Sequence, residues 1–367
     1  MKLTRIAQFG AAATLAALTL AGCSAPNETP ATTESTGGGS STGLSGTVNA
    51  TGASSQAAAQ EAWVANFQTA NPDVTINYEP TGSGTGRENF VSGASNLIGS
   101  DRAYNDEELA AGGFGACSSD DIVQLPLYIS PVAVAFNLDG IESLNMDTDT
   151  IAAIFAGDIA NWNDPAIAAD NPDVELPDLA IAPVHRADDS GTTETFTTYL
   201  AEAAPASWTH EPDGEWPIDG GEAAQGTSGV VDATRNGNGT IVYADASQVA
   251  GLGTVSVKVG DEFVPYSAEA AAAIIDSSPF VEGRGEGDLS LEVDYATDEA
   301  GVYPIALVSY LIACQNYDDA NTAAIVSDYL TYIASSEGQD AAAQNAGSAP
   351  ISEDLRTKVT AAIALIG

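Results

Sequence analysis

Positive charge is scarce in this sequence: 10 Lys and Arg stand against 51 Asp and Glu, a formal net charge of −41. A surface so acidic excludes nucleic acid and anionic membrane surfaces as partners. A small anion would meet the same repulsion from afar, but salt screens it beyond about 8 to 10 Å, so an anion would have to be held by a local pocket. Histidine and cysteine are equally sparse. Cys117 and Cys314 stand 197 positions apart with only His185 and His210 to assist, which excludes a metal site. No apolar run beyond residue 22 approaches the roughly 20 residues of a membrane span. No internal repeat of solenoid period is present.

The front of the chain is different. Lys2 and Arg5 precede an apolar stretch from Ile6 to Leu20, and Leu20-Ala21-Gly22 leads into Cys23, the pattern of an export signal over residues 1–22. The Leu-Ala-Gly-Cys order resembles the bacterial lipobox, in which the cysteine is lipidated and becomes the first residue of the mature protein. Residues 24–43 carry no bulky apolar side chain and therefore read as a flexible tether with a reach of roughly 25 Å. Beyond the signal all 51 acidic residues remain. Residues 44–367 suffice for two domains at about 100 to 200 residues each. In an exported, oxidising setting the default for Cys117 and Cys314 is a disulfide.

Periodicity predicts a strand at Gly46 to Asn49, a helix over Ala57 to Ala70 with Trp63, Phe67 and Ala70 on one face, and a strand at Val74 to Tyr78. A Gly-rich turn at Thr81 to Gly86 then leads to a helix near Arg87 to Gly93. Leu125 to Asn137 is apolar, extended and broken by Pro126 and Pro131, which suggests a crossing between domains. A helix capped by Thr148 or Asp149 ends at Gly157; a strand from Asp178 to His185 precedes a helix at Thr193 to Ala201. Glu222 to Asp232 reads as helix and Thr240 to Ala244 as strand, then Val302 to Ile312 as strand and Ala323 to Ile333 as helix. This alternation predicts an α/β fold of mostly parallel sheets with the ligand site beyond the carboxyl ends of the strands.

Ser54-Ser55-Gln56, Gly82-Ser83-Gly84 and Ser190-Gly191-Thr192 share one feature: each follows a predicted strand and opens a predicted helix. A helix N-terminus offers unpaired N–H groups and about half a positive charge to an anion. One such turn is ordinarily a plain N-cap. Three, with Arg186 just ahead of the third, point to an anion site.

These residues resemble the phosphate-binding proteins of the phosphate-specific ABC transporter. The likeness runs through Thr51-Gly52-Ala53-Ser54-Ser55, Thr81-Gly82-Ser83-Gly84, Ile98-Gly99-Ser100-Asp101, the run from His185 to Thr192, and Tyr303-Pro304-Ile305. Ile154-Phe155-Ala156-Gly157 and Trp162-Asn163-Asp164-Pro165 add to it. The resemblance implies that inorganic phosphate is held by the Ser55 hydroxyl, the Gln56 backbone N–H, Ser83, Arg186, Ser190, Gly191 and Thr192. Asp101 would accept the proton that phosphate retains near neutral pH and sulfate lacks; such unpaired polar contacts discriminate by about 10⁴ to 10⁵.

Three positions depart from the family pattern. Gln56 stands where an aromatic or apolar residue is usual, which is expected to matter little if only its N–H is used. Asp189 stands where glycine is common, and Arg102 follows Asp101 where a small residue is usual; Arg102 is expected to pair with Asp101 or Asp189. The implied fold is a two-lobed, type II periplasmic-binding-protein architecture: two mixed, mostly parallel sheets flanked by helices, with the ligand cleft between lobes. Lobe I is placed at 44–128 plus 300–367 and lobe II at 129–299, so that the disulfide would staple the two segments of lobe I. The resemblance further implies an extracytoplasmic monomer anchored to the membrane through Cys23 that serves a permease and needs no cofactor. A binder of another oxyanion or small solute is the closer rival. A hydrolase is the weaker one, because Ser190 lacks a nucleophile elbow and His185 lies on the preceding strand.

Overall fold

A computed structural model describes residues 43–367. The export signal, Cys23 and nearly all of the tether lie outside these residues. Strand β1 (Gly46–Gly52), helix α1 (Ala57–Ala70) and strand β2 (Val74–Glu79) form the first βαβ unit, with the strands parallel and Val48 paired to Ile76. Val48, Ala50, Val74 and Ile76 face the core, where α1 packs Trp63 and Phe67. Helix α2 (Ser83–Ser92) and strand β3 (Leu97–Ser100) follow, β3 lying parallel to β1 on its other side.

Helix α2 begins at Ser83, earlier than its glycines suggest. Close packing overrides propensity there: a Cβ on Gly86 would stand 2.7 Å from Gly52 Cα. Helix α3 (Asp106–Ala111) is closed by a capping box between Asn105 and Glu108.

The expected crossing is a single long strand, β4 (Ile122–Asn137), in which all residues but the last are buried. Its first part, through Pro131, pairs antiparallel with β11 (Ala306–Cys314); from Val132 on it pairs antiparallel with β8 (Thr240–Asp245). Prolines are rare in a central strand because they remove a ladder donor. Here the register shifts between Ser309 and Tyr310, opposite Leu127 and beside Pro126. Such a bulge bends the strand and re-aims a side chain. The Leu127 carbonyl accepts instead from Gln339 Nε2 at 3.0 Å.

Between these segments run β5 (Ser143–Met146), α4 (Thr148–Ala156), α5 (Pro165–Asp170), β6 (Ala182–Arg186), α6 (Gly191–Ala203), β7 (Glu222–Ala224) and α7 (Gly226–Asn236). After β8 come β9 (Gly253–Val259), β10 (Glu262–Val264) and α8 (Ala268–Ser277), and beyond β11 come α9 (Ala320–Ala334), α10 (Ser336–Ala346) and α11 (Glu353–Ile363). The strand order is β2-β1-β3-β11-β4-β8-β6-β7, with β9 joining β4, β5 and β10 off that path. Parallel pairs occupy the outer βαβ regions, and antiparallel pairs surround β4 and β11 at the centre. The fold is therefore mixed α/β, as the alternation predicts.

Three local expectations change. The cap of α4 is Asp147, whose side chain accepts from Thr150 N, and not Thr148 or Asp149. Residues 222–224 are strand, not helix, because they add to the β6 edge with Val184 opposite Glu222, and the helix waits until Gly226. The strand expected from Asp178 begins only at Ala182. Cys117 and Cys314 form a disulfide that ties the loop after α3 to the end of β11. Among the described residues no helix is long and apolar enough to cross a membrane.

Candidate functional site

The carboxylate of Asp101, just past β3, is the point on which the site converges. Its Oδ1 accepts from the hydroxyls of Ser55 and Ser309, each at 2.6 Å, and its Oδ2 accepts from Thr192 Oγ1 at 2.9 Å. Its backbone N–H donates to Ser83 Oγ at 3.1 Å. Gly191 seats the start of α6 against this group: a Cβ there would lie 2.5 Å from Asp101 Cβ and 3.0 Å from Ser83 Oγ. Ser55, Ser83, Asp101, Gly191 and Thr192 thus come together, from sequence segments far apart, although nothing in their spacing requires it. Ser190 caps α6 by accepting from Thr193 N at 3.2 Å, with its own N–H donating to the Gly214 carbonyl.

Arg186 ends β6 with its side chain almost wholly buried. Its Nε donates to Asp188 Oδ1 at 2.8 Å and its Nη2 to Asp188 Oδ2, a fork that fixes the plane of the guanidinium. Asp188 Oδ1 also accepts from the Gly226 N–H at 3.1 Å. The next N–H, of Thr227, donates to Ser54 Oγ at 3.0 Å. The start of α7 is therefore a fourth helix terminus at the site, linking Arg186 and Asp188 to the Ser54-Ser55 turn. Its Gln225-Gly226-Thr227 sequence carries only a single hydroxyl, a signal too weak to read unaided.

Three features correct the sequence expectations. Arg102 pairs with neither Asp101 nor Asp189: its Nη1 and Nη2 donate to Glu108 at 2.6 and 2.8 Å, and its Nε stands 2.8 Å from Glu194 Oε2. Glu108 is placed by its capping box, within easier reach than Asp101, whose oxygens are already engaged. Burial pushes the Glu194 carboxyl up despite Arg102, whereas in Glu108 burial, the largest single influence, is outweighed by the hydrogen bonds of Arg102 and Asn105 together with the charges of Arg102 and Arg87, which lower it. The cation that meets Asp189 is Arg87, whose Nη2 lies 3.3 Å from Asp189 Oδ2 and whose Nη1 donates to Ser100 Oγ at 3.1 Å.

Gln56 also does more than lend an N–H. Its side chain is fully buried and donates to Ser309 Oγ at 2.7 Å and to the Tyr310 carbonyl at 3.1 Å. Ser309 escaped notice because it sits inside an apolar strand. A lone serine in such a run is its only trace in the sequence.

His185 does not face Ser190. Its ring nitrogens lie 2.9 Å from the carbonyls of Arg186 and Gly220, and it stacks on Trp216 with ring centroids 5.2 Å apart. Among the described residues no group of His, Cys, Asp and Glu could hold a metal ion.

A PBP superfamily domain matches residues 30–337 of this chain. Phosphate-binding protein PstS 3 of Mycobacterium tuberculosis is 33% identical over 381 residues, covering 99% of each chain. The chain belongs to the phosphate-binding protein family. Another phosphate-binding relative, PstS 3 of Mycobacterium leprae, is 33% identical over 370 residues and 98% of each chain. Among solved structures, a high-affinity periplasmic phosphate-binding protein with phosphate bound superposes with a TM-score of 0.69 at 23% identity, covering 86% of this chain and 93% of that one. A putative phosphate ABC transporter substrate-binding protein from Clostridium perfringens, also with phosphate bound, gives 0.57 at 19% identity over 82% and 98%. These two likenesses show that the phosphate-binding protein family's type II architecture is the fold of this chain.

Proposed function

We propose that this protein captures inorganic phosphate outside the membrane and delivers it to the permease of an ABC-type phosphate importer. The observation that carries the reading is Asp101, a carboxylate surrounded by hydroxyl donors at the meeting point of three helix N-termini. Helix termini and Arg186 favour an anion; a carboxylate among them favours only an anion that brings a proton. Donors would come from the Ser55 hydroxyl, which would turn from Asp101 to the anion, the Gln56 N–H, Ser83, Arg186, Ser190, Gly191 and Thr192. Hydrogen bonds to charged groups contribute roughly 1.5 to 3 kcal/mol each, and micromolar binding needs only about 8 kcal/mol before ordering costs.

In this reading residues 44–128 and 300–367 form one lobe and residues 129–299 the other, with the segment around Asp288 to Leu289 reaching back to Gln124. Phosphate bridges the lobes and holds the cleft shut, and the closed monomer reports occupancy to the permease. The role is binding, without turnover or cofactor; His185, committed toward two carbonyls, is not placed to activate Ser190. Lipid attachment at Cys23, supported by the Leu20-Ala21-Gly22-Cys23 order, would keep the protein at the membrane. Incorporation of labelled fatty acid, abolished in Cys23→Ala, tests that part.

The function itself is tested by calorimetric titration of the purified, phosphate-stripped protein with phosphate and then sulfate, alongside Asp101→Asn. Micromolar or tighter phosphate binding that ignores sulfate, with the distinction reduced in Asp101→Asn, is expected. Absence of phosphate binding would overturn the reading, and sulfate binding as tight as phosphate would move it to another oxyanion.

A further inference from the structure

We infer that Gln56, Gln60 and Tyr329 are positioning residues: they form a buried relay that fixes Ser309 as a one-way donor to Asp101 and so sharpens the rejection of oxyanions that carry no proton. The inference rests on the reading of Asp101 given above, and adds to it side chains that never touch the anion.

The relay runs from α9 through the first turn of α1 to β11, and all four members are at most 1% exposed. Its direction is set at one place. Gln56 Nε2 lies 3.1 Å from the Tyr310 carbonyl, which only accepts, so the amide must turn its NH₂ that way. The same nitrogen therefore donates its other hydrogen to Ser309 Oγ at 2.7 Å. Gln56 Oε1 is left to accept from Gln60 Nε2 at 2.9 Å, and Gln60 Oε1 accepts from the Tyr329 hydroxyl at 2.8 Å. Burial raises the Tyr329 hydroxyl well above its ordinary range, so it remains a donor.

Ser309 consequently faces a group that can only donate, and its own proton has one acceptor, Asp101 Oδ1 at 2.6 Å. Ser55 donates to that same oxygen. A proton placed on Oδ1 would point at a serine that cannot turn round to receive it. Oδ1 is thus a dedicated acceptor, and Oδ2, shared with Thr192 alone among the described residues, is where a proton brought by the ligand can be received. Remove the Gln56 donor and Ser309 can rotate to accept. Oδ1 is then no longer a dedicated acceptor, and the preference for an anion that brings its own proton weakens.

The test is competition between phosphate and sulfate on the purified full-length protein and on Gln56→Met, Ser309→Ala and Tyr329→Phe, with thermal midpoints recorded in parallel. Gln56→Met keeps the side chain's length without its donor. It and Ser309→Ala are expected to narrow the phosphate-over-sulfate affinity ratio at least about tenfold, and Tyr329→Phe, at the far end, about two- to threefold. A purely structural role would weaken both anions alike and leave the ratio intact; an unchanged ratio in folded Gln56→Met and Ser309→Ala overturns the relay. Should Gln56→Met fail to fold, Ser309→Ala, which deletes one oxygen, decides alone. If the unaltered protein binds no phosphate, the functional reading falls and the relay with it; if it binds phosphate and rejects sulfate while the variants do so equally, only the relay falls.

Discussion

Asp189 Oδ2 lies 3.3 Å from Arg87 Nη2, reaching from the turn before α6 to the second turn of α2. Its carboxylate is wedged between two glycines: a Cβ on Gly84 would stand 2.1 Å from Asp189 Oδ2, and one on Gly214 would stand 2.3 Å from Oδ1. The Gly84 N–H donates to the Asp189 carbonyl at 3.2 Å. The departure from glycine at position 189 is thus accommodated by a cation on one side and missing side chains on the other.

That arrangement separates a steric effect from an electrostatic one. Gly84→Ala should lower phosphate affinity more than tenfold, because the new methyl must displace Asp189 and part α2 from the turn. Arg87→Met removes an ion pair whose acidic partner is 43% exposed, and such pairs contribute about 0 to 1 kcal/mol, so its loss should be no more than about fivefold and should fade as salt is raised. Titrations at low and high ionic strength check both.

Arg102→Ala should chiefly affect stability. It leaves Glu194, whose carboxyl burial already pushes up, without its nearest cation, and it breaks the fork to Glu108. These side chains are partly exposed, so a loss of about 1 kcal/mol is expected in denaturant unfolding, discounted for solvent screening from the 3 to 5 kcal/mol of a fully buried pair. Phosphate-over-sulfate discrimination should stay unchanged, since Arg102 does not touch Asp101.

A pH effect is expected from Asp245 at the end of β8. Burial raises its carboxyl from the ordinary 3.8 to about 6, against the opposing hydrogen bonds of Ser247, Ser130 and Tyr128. The folded protein then holds this proton more tightly than the unfolded chain does. Its stabilising contribution is complete below about pH 4 and is lost as pH rises through about 6, at most roughly 3 kcal/mol. Unfolding midpoints measured from pH 4 to 8 should fall across that window, and Asp245→Asn should flatten the fall.

Reduction of Cys117–Cys314 should destabilise the protein strongly, because the bond closes a loop spanning 197 positions. The chain-entropy model assigns about 5 kcal/mol to such a loop, an upper figure for most real disulfides. Thermal unfolding with and without reductant checks this. Phosphate affinity of the reduced but folded protein should be unaltered, since neither cysteine reaches Asp101.

The parts of the site that could be read from residues alone are those whose backbone carries the signal. Ser83 and Ser190 stand where strand gives way to helix, and their small neighbours mark the turn. Arg87, Ser309 and Thr227 carry no such mark. Arg87 looks like any exposed helix arginine until Asp189 is found beside it, and Ser309 looks like a stray polar residue in a strand. The glycines of Thr81 to Gly86 mislead for a related reason: they read as a turn, while their lack of side chains serves contacts with Asp189 and Gly52 inside a helix.

The sequence by itself determined the α/β alternation, the acidic surface that confines any anion to a local pocket, and the identity of the turns that can receive one. These are local properties, carried by periodicity, charge count and the chemistry of adjacent residues. Only the tertiary structure decided what those turns meet. That Arg102 goes to Glu108 and Glu194, that Arg87 answers Asp189, and that Gln56 governs Ser309 depend on distances between segments up to 253 positions apart. Hydrogen bonds and ion pairs act over about 3 to 4 Å, a scale that only the folded chain sets.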